Sequence, residues 1–118
     1  MSRMLAAVGF LLFEVLLFAL ASLTHGGVIL HGYEHARAAI AEAIIATVLG
    51  LGFVISLAKP RFARRTTMGV QLFAIVGVLV GLLMIAIGIG PRTTPDLVLH
   101  AVMLTTLLIG FLLALKNR

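Results

Sequence analysis

Four apolar runs, each long enough to cross about 30 Å of hydrocarbon at about 1.5 Å per helical residue, decide what this chain can become. They lie at about Met4–Leu23, Ala36–Ala58, Met68–Ile89 and Pro95–Leu115. Inside a bilayer every backbone N–H and C=O must be bonded internally, so only helices and closed barrels span it. Runs this long, without strand-like alternation, select helices. With 62% hydrophobic and 11% charged side chains among 118 residues, the composition leaves no soluble domain. The expected fold class is therefore an all-α membrane protein, one domain over residues 1–118. Short connections make sequential helices antiparallel, giving four transmembrane helices in an up-down-up-down bundle.

The first run has features of a secretory leader: Arg3 as a short basic region and Ala19-Leu20-Ala21 as a small-residue cleavage site. Glu14 interrupts the apolar stretch such a leader needs, so the run is read as a transmembrane helix. There is no cysteine, which excludes disulfides and thiolate metal ligands.

Seven of the nine Lys/Arg fall at one end of such a bundle: Arg3, Lys59, Arg61, Arg64, Arg65, Lys116 and Arg118. Arg37 and Arg92 fall at the other. The positive-inside rule then places both termini and the 59–65 loop in the cytoplasm, as in a bacterial inner membrane protein. The Lys59–Arg65 loop suits anionic lipid, and no basic face remains for nucleic acid.

Punctuation supports these boundaries. Pro60 closes the second helix, and Thr66 or Thr67 can cap the third. Gly88, Gly90 and Pro91 end the third, and Thr94 is the expected N-cap of the fourth, with Pro95 and Asp96 in its first turn. Gly77 and Gly81 make a G-x-x-x-G step on the third helix. Ala39, Ala43, Ala46 and Gly50 make a small stripe on the second; both permit close helix approach.

All eight acidic and histidine side chains sit on or beside three helical stripes. Positions four, seven or eleven apart share a face. Glu14 and His25 align on the first helix. His31, His35 and Glu42 align on the second if it begins by His31, with Glu34 beside them. Asp96, His100 and Met103 align on the fourth. Ionisable groups inside a membrane are costly and usually face a bundle interior or a pathway, so function is expected there.

Two chemistries follow. Imidazoles at i and i+4, completed from neighbouring helices, can hold Zn, Cu, Fe or Mn; the expected ligands are His31, His35, His100, Glu42 and Asp96, with His25 behind them. Haem b would take His35 and His100 as its axial pair. Alternatively Glu14, Glu42 and His25 form a proton or ion pathway in a proton-linked cation transporter or channel. A third possibility is a non-catalytic subunit or assembly factor, docking its small-residue faces on a homo-oligomer or larger membrane complex. Solvated loop residues and hydrogen-bonded interface histidines are the bland alternative for His25, His31, Glu34, His35 and His100.

His31-Gly32-Tyr33-Glu34-His35 also fits the H-x-x-E-H pattern of inverted zinc peptidases, in which two histidines hold zinc and the glutamate activates water. The chain offers no substrate cleft or soluble catalytic domain for that chemistry, and a non-enzyme is expected. In length, helix number and first-helix glutamate the chain resembles the small multidrug resistance transporters, where that glutamate is shared by proton and cation. It departs from them in having no tryptophan, its one tyrosine (Tyr33) in a connection, and a one-sided basic bias unlike a dual-topology dimer. No family is assigned.

Overall fold

The computed structural model describes residues 3–117, and Arg118 lies outside the described residues. Four α-helices carry the chain: α1 (Arg3–His25), α2 (Ala36–Ala58), α3 (Ala63–Ala86) and α4 (Thr94–Leu115). A 3-10 turn, Pro60–Phe62, joins α2 to α3. All four are long and apolar enough to cross a membrane. Cross-helix bonds fix the antiparallel order. His25, the last residue of α1, meets the N-terminal parts of α2 and α4, while Ser56 near the end of α2 meets Thr67 near the start of α3. The bundle thus has a histidine end, with the 26–35 and 87–93 connections, and a basic end, with the 59–62 turn and both ends of the described chain, Arg3 and Asn117.

The side-chain distribution is that of a protein solvated by lipid. Large apolar side chains, leucines above all, are exposed on every helix, while Glu14, His25, Glu42, Gln71, Asp96 and His100 are buried. Lipid tails are as apolar as these side chains, so helix association rests on packing and interhelical bonds. Glycines set the closest approaches. A Cβ at Gly52 would stand 2.6 Å from Val70 Cγ2, and one at Gly77 would stand 2.7 Å from Ile45 Cδ1. The G-x-x-x-G step is therefore used within the chain and is split, Gly77 meeting α2 and Gly81 meeting His100 on α4.

Helix ends follow local chemistry, with three differences from the sequence reading. First, α3 begins at Ala63, five residues before the expected Met68, because nothing after Pro60 breaks a helix. Thr67 is consequently inside it, fully buried, and bonds Ser56 Oγ at 3.3 Å instead of capping. Second, α3 ends at Ala86 rather than Ile89. Gly88, at φ +90°, adopts the left-handed conformation of a Schellman stop, with Ile89 N bonding Met84 O and Gly88 N bonding Ile85 O. Third, Thr93 rather than Thr94 caps α4, in a capping box with Asp96.

Candidate functional site

The end of α1 sets the site. A second Schellman stop at Gly27 (φ +73°) terminates α1 just past His25 and turns the chain toward α2. The carbonyl of His25 then accepts from His35 N at 2.8 Å, which fixes where α2 starts. This register places Glu42, two turns into α2, and Asp96, in the first turn of α4, on either side of the His25 ring. Nδ1 lies 2.7 Å from Glu42 Oε2, and Nε2 lies 2.9 Å from Asp96 Oδ1. All three residues are at most 5% exposed. His25, expected behind a metal, is instead the centre of a carboxylate–imidazole–carboxylate bridge across three helices.

Each bond of this bridge needs one proton. Two protons suffice, either as an imidazolium between two carboxylates or as a neutral imidazole with one carboxylic acid, and both forms carry one net negative charge. The other oxygen of Asp96 is held by the Thr93 hydroxyl at 2.5 Å and the Thr93 N–H at 3.1 Å. Glu42 has no hydrogen bond beyond that to His25 among the described residues.

A cleft of about 220 Å³ opens beside this bridge between α2, α3 and α4. Its walls are mostly apolar (Phe18, Ile45, Val78, Met84 and Met103), with Glu42 and His100 as buried polar groups and Arg37 at the exposed rim. His100 is 7% exposed. Its Nδ1 donates to Asp96 O at 2.7 Å, so Nε2 is the nitrogen left for another partner and carries the lone pair whenever the ring is neutral. That atom faces α3 where Gly81 leaves room: a Cβ there would stand 3.1 Å away.

His35 has a different task. Its Nδ1 accepts from Ala38 N at 3.1 Å as the N-cap of α2, and its Nε2 donates to Ile89 O at 2.9 Å. Both nitrogens are committed. His31 is displaced from the stripe because α2 begins at Ala36; its side chain is 91% exposed and lies 3.5 Å from Glu34. Glu34 in turn accepts from Gly32 N at 2.9 Å. Those backbone N–H bonds, including its own, hold its carboxyl below the usual range. The H-x-x-E-H segment therefore runs through turns and extended backbone, not along one helix face.

The expected metal ligands are thus not gathered. Among the described residues, no group of three or more His, Cys, Asp or Glu side chains is placed to hold a metal ion. The haem pair is not formed either, since His35 would have to surrender its bond to Ile89 before offering a nitrogen. Arg92 donates to Ile85 O at 3.1 Å rather than pairing with Asp96.

A second polar pair lies nearer the basic end. Gln71 Nε2 donates to Glu14 Oε1 and Oε2 at 3.2 and 3.3 Å, and both residues are fully buried. Gly110 on α4 makes the space, for a Cβ there would stand 2.1 Å from Gln71 Nε2. Gln71 lies on none of the three stripes read from the sequence. Its signal was present, as a lone amide in an apolar span usually faces the interior, but the late helix start hid its depth. Between this pair and the His25 bridge lies an apolar layer that includes Phe18, Leu49, Met103 and Leu107, all at most 1% exposed. Glu14 and the His25–Glu42 pair are therefore two separate stations rather than one contiguous cluster.

Comparison with protein-family models, curated proteins and solved structures returned no match.

Proposed function

We propose that this protein is a proton-linked transporter that binds a small cation in the cleft at the histidine end. The observation that carries the reading is the double position of Glu42: it is a wall of the cleft and the terminal member of the His25 bridge. A cation at Glu42 competes with a bridging proton for the same carboxylate, which links the two species chemically. Apolar walls around a single buried carboxylate suit an alkyl or aromatic ammonium ion. The apolar layer beneath the cleft argues for alternating access rather than a continuous pore. Glu14 with Gln71, beyond that layer, is the second station on the path. By the positive-inside rule the basic end faces the cytoplasm, its 59–62 turn and the first turn of α3, with Arg64 and Arg65, lying against anionic lipid.

The test is uptake of radiolabelled tetraethylammonium into proteoliposomes under an inside-acid pH gradient. Uptake is expected in the wild type and lost in Glu42→Gln. A wild type no faster than protein-free vesicles would overturn the reading.

A second reading rests on the lone pair of His100 Nε2, which faces the same cleft as Glu42 and Met103. In it the cation is a transition metal held by His100 and Glu42, with Met103 as a soft additional ligand.

A further inference from the structure

The bridge has two sides, and they open onto different spaces. Glu42 lines the cleft between α2, α3 and α4. His25 and Asp96 line a second cavity of about 260 Å³ between α1 and α4, under the 26–35 connection, whose walls include Thr24, Tyr33 and Leu99. We propose that Asp96, His25 and Glu42 form a two-bond proton relay joining these two cavities. A proton then reaches or leaves the cleft carboxylate from the opposite flank of the bundle. The proposal deepens the transport reading and rests on it for its purpose, though not for its chemistry.

The step balances without a further reactant. It starts with a proton on Asp96 Oδ1 and a second on His25 Nδ1, which points at Glu42. The O–H bond at Asp96 breaks as an N–H bond forms at Nε2. The Nδ1–H bond breaks as an O–H bond forms at Glu42 Oε2. One proton has moved from Asp96 to Glu42, His25 has exchanged tautomers, and net charge is unchanged. The reverse transfer leaves Glu42 ionised for a cation in the cleft, with the proton back on Asp96 beside the flank cavity. Neither species needs to pass the other.

Separations of 2.7 and 2.9 Å are within ordinary hydrogen-bond reach for such transfers. Thr93 holds the far oxygen of Asp96 and so keeps Oδ1 aimed at Nε2. The other ionisable groups around the ring are few. On α4, His100 lies one turn from Asp96 and bonds its carbonyl. From the connection, Tyr33 borders the second cavity. The ionisable groups of α3, Arg64 and Arg65, lie at the basic end and do not face the ring.

Water exchange of the His25 ring protons tests this, measured by NMR saturation transfer on full-length protein labelled with nitrogen-15 in histidine. No transported cation is needed, so failure here is distinct from failure of the uptake assay. Leu99→Phe, which fills the flank cavity, is expected to slow exchange at both ring nitrogens by about tenfold. Thr24→Leu fills the same cavity from α1 and carries the same expectation if Leu99→Phe does not fold. Met84→Phe, which fills the cleft, should leave exchange at Nε2 within about twofold. Asp96→Asn should slow exchange at the remote Nδ1 as well, which a merely orienting Asp96 would not do. Exchange unchanged by both flank substitutions, or slowed only by Met84→Phe, would overturn the relay.

Discussion

Replacing His25 by leucine removes the centre of the bridge while nearly keeping its volume, so the loss is almost wholly polar. Two interhelical bonds disappear. Neutral interhelical bonds in membranes are worth about 0.6 kcal/mol each on average, which sets a floor of about 1.2 kcal/mol. Breaking a buried charged pair by deleting one partner costs about 3–5 kcal/mol, which sets the ceiling. The two carboxylates fare differently. Asp96 keeps Thr93 as a donor, whereas Glu42 loses its one hydrogen bond. One abandoned carboxylate rather than two places the expected loss at about 3 kcal/mol, about a hundredfold in the folding equilibrium. SDS titration in mixed micelles measures it, followed by far-ultraviolet circular dichroism because the chain has no tryptophan. Adding Glu42→Gln to His25→Leu neutralises the abandoned group and should recover about half the loss. His25→Leu within about 0.5 kcal/mol of wild type, or a double variant less stable than the single, would refute the reasoning.

Gly110→Ala drives a methyl group into the Gln71 amide and should cost about 2 kcal/mol in the same titration, whereas exposed Gly9, with nothing within 4 Å of a Cβ, should accept alanine within about 0.5 kcal/mol. At the histidine end, Glu34 titrates below its ordinary value of 4.5, so the folded loop binds its proton less readily than an open one. Its hold on Gly32 N–H is therefore fully present above about pH 4.5 and lost as pH falls through the lower folded value, read as a falling protection of the Gly32 amide relative to its intrinsic exchange rate, a fall that Glu34→Gln abolishes. For the metal reading, elemental analysis of tag-free protein prepared without chelator should find any bound Fe, Cu, Zn or Mn missing from His100→Ala and retained in His31→Ala. Equal loss from both would contradict a site in the cleft.

Much of the architecture was legible because lipid makes the code simple: long apolar runs become helices, and the rare ionisable groups turn inward. Glu14, His25, Glu42, Asp96 and His100 were recognisable as inward-facing by their periodicity alone, and all five are buried. What periodicity could not supply was registration between helices. Whether His25 meets Glu42 or stands behind His35 depends on a left-handed glycine at 27 and on one backbone bond between His25 and His35. The same limit applies to Gln71. With α3 starting at Met68 it would lie about 4.5 Å along the helix; with the actual start at Ala63 it lies about 12 Å along, deep enough to meet Glu14. His35 shows a third limit: a histidine on a promising stripe can be spent on capping and on Ile89 O, and sequence does not distinguish such a residue from a ligand.

The polar links also impose an order on biogenesis. The α1–α2 hairpin holds His25 and Glu42, so their bond can form as soon as those helices are in the bilayer. Glu14 then waits for Gln71 on α3, and the second face of the His25 ring waits for Asp96 on α4. Until each later helix arrives, the membrane contains a buried polar group without its partner. The nascent protein is therefore most exposed to misassembly before α3 docks, and each new helix resolves one outstanding polar group left by the first.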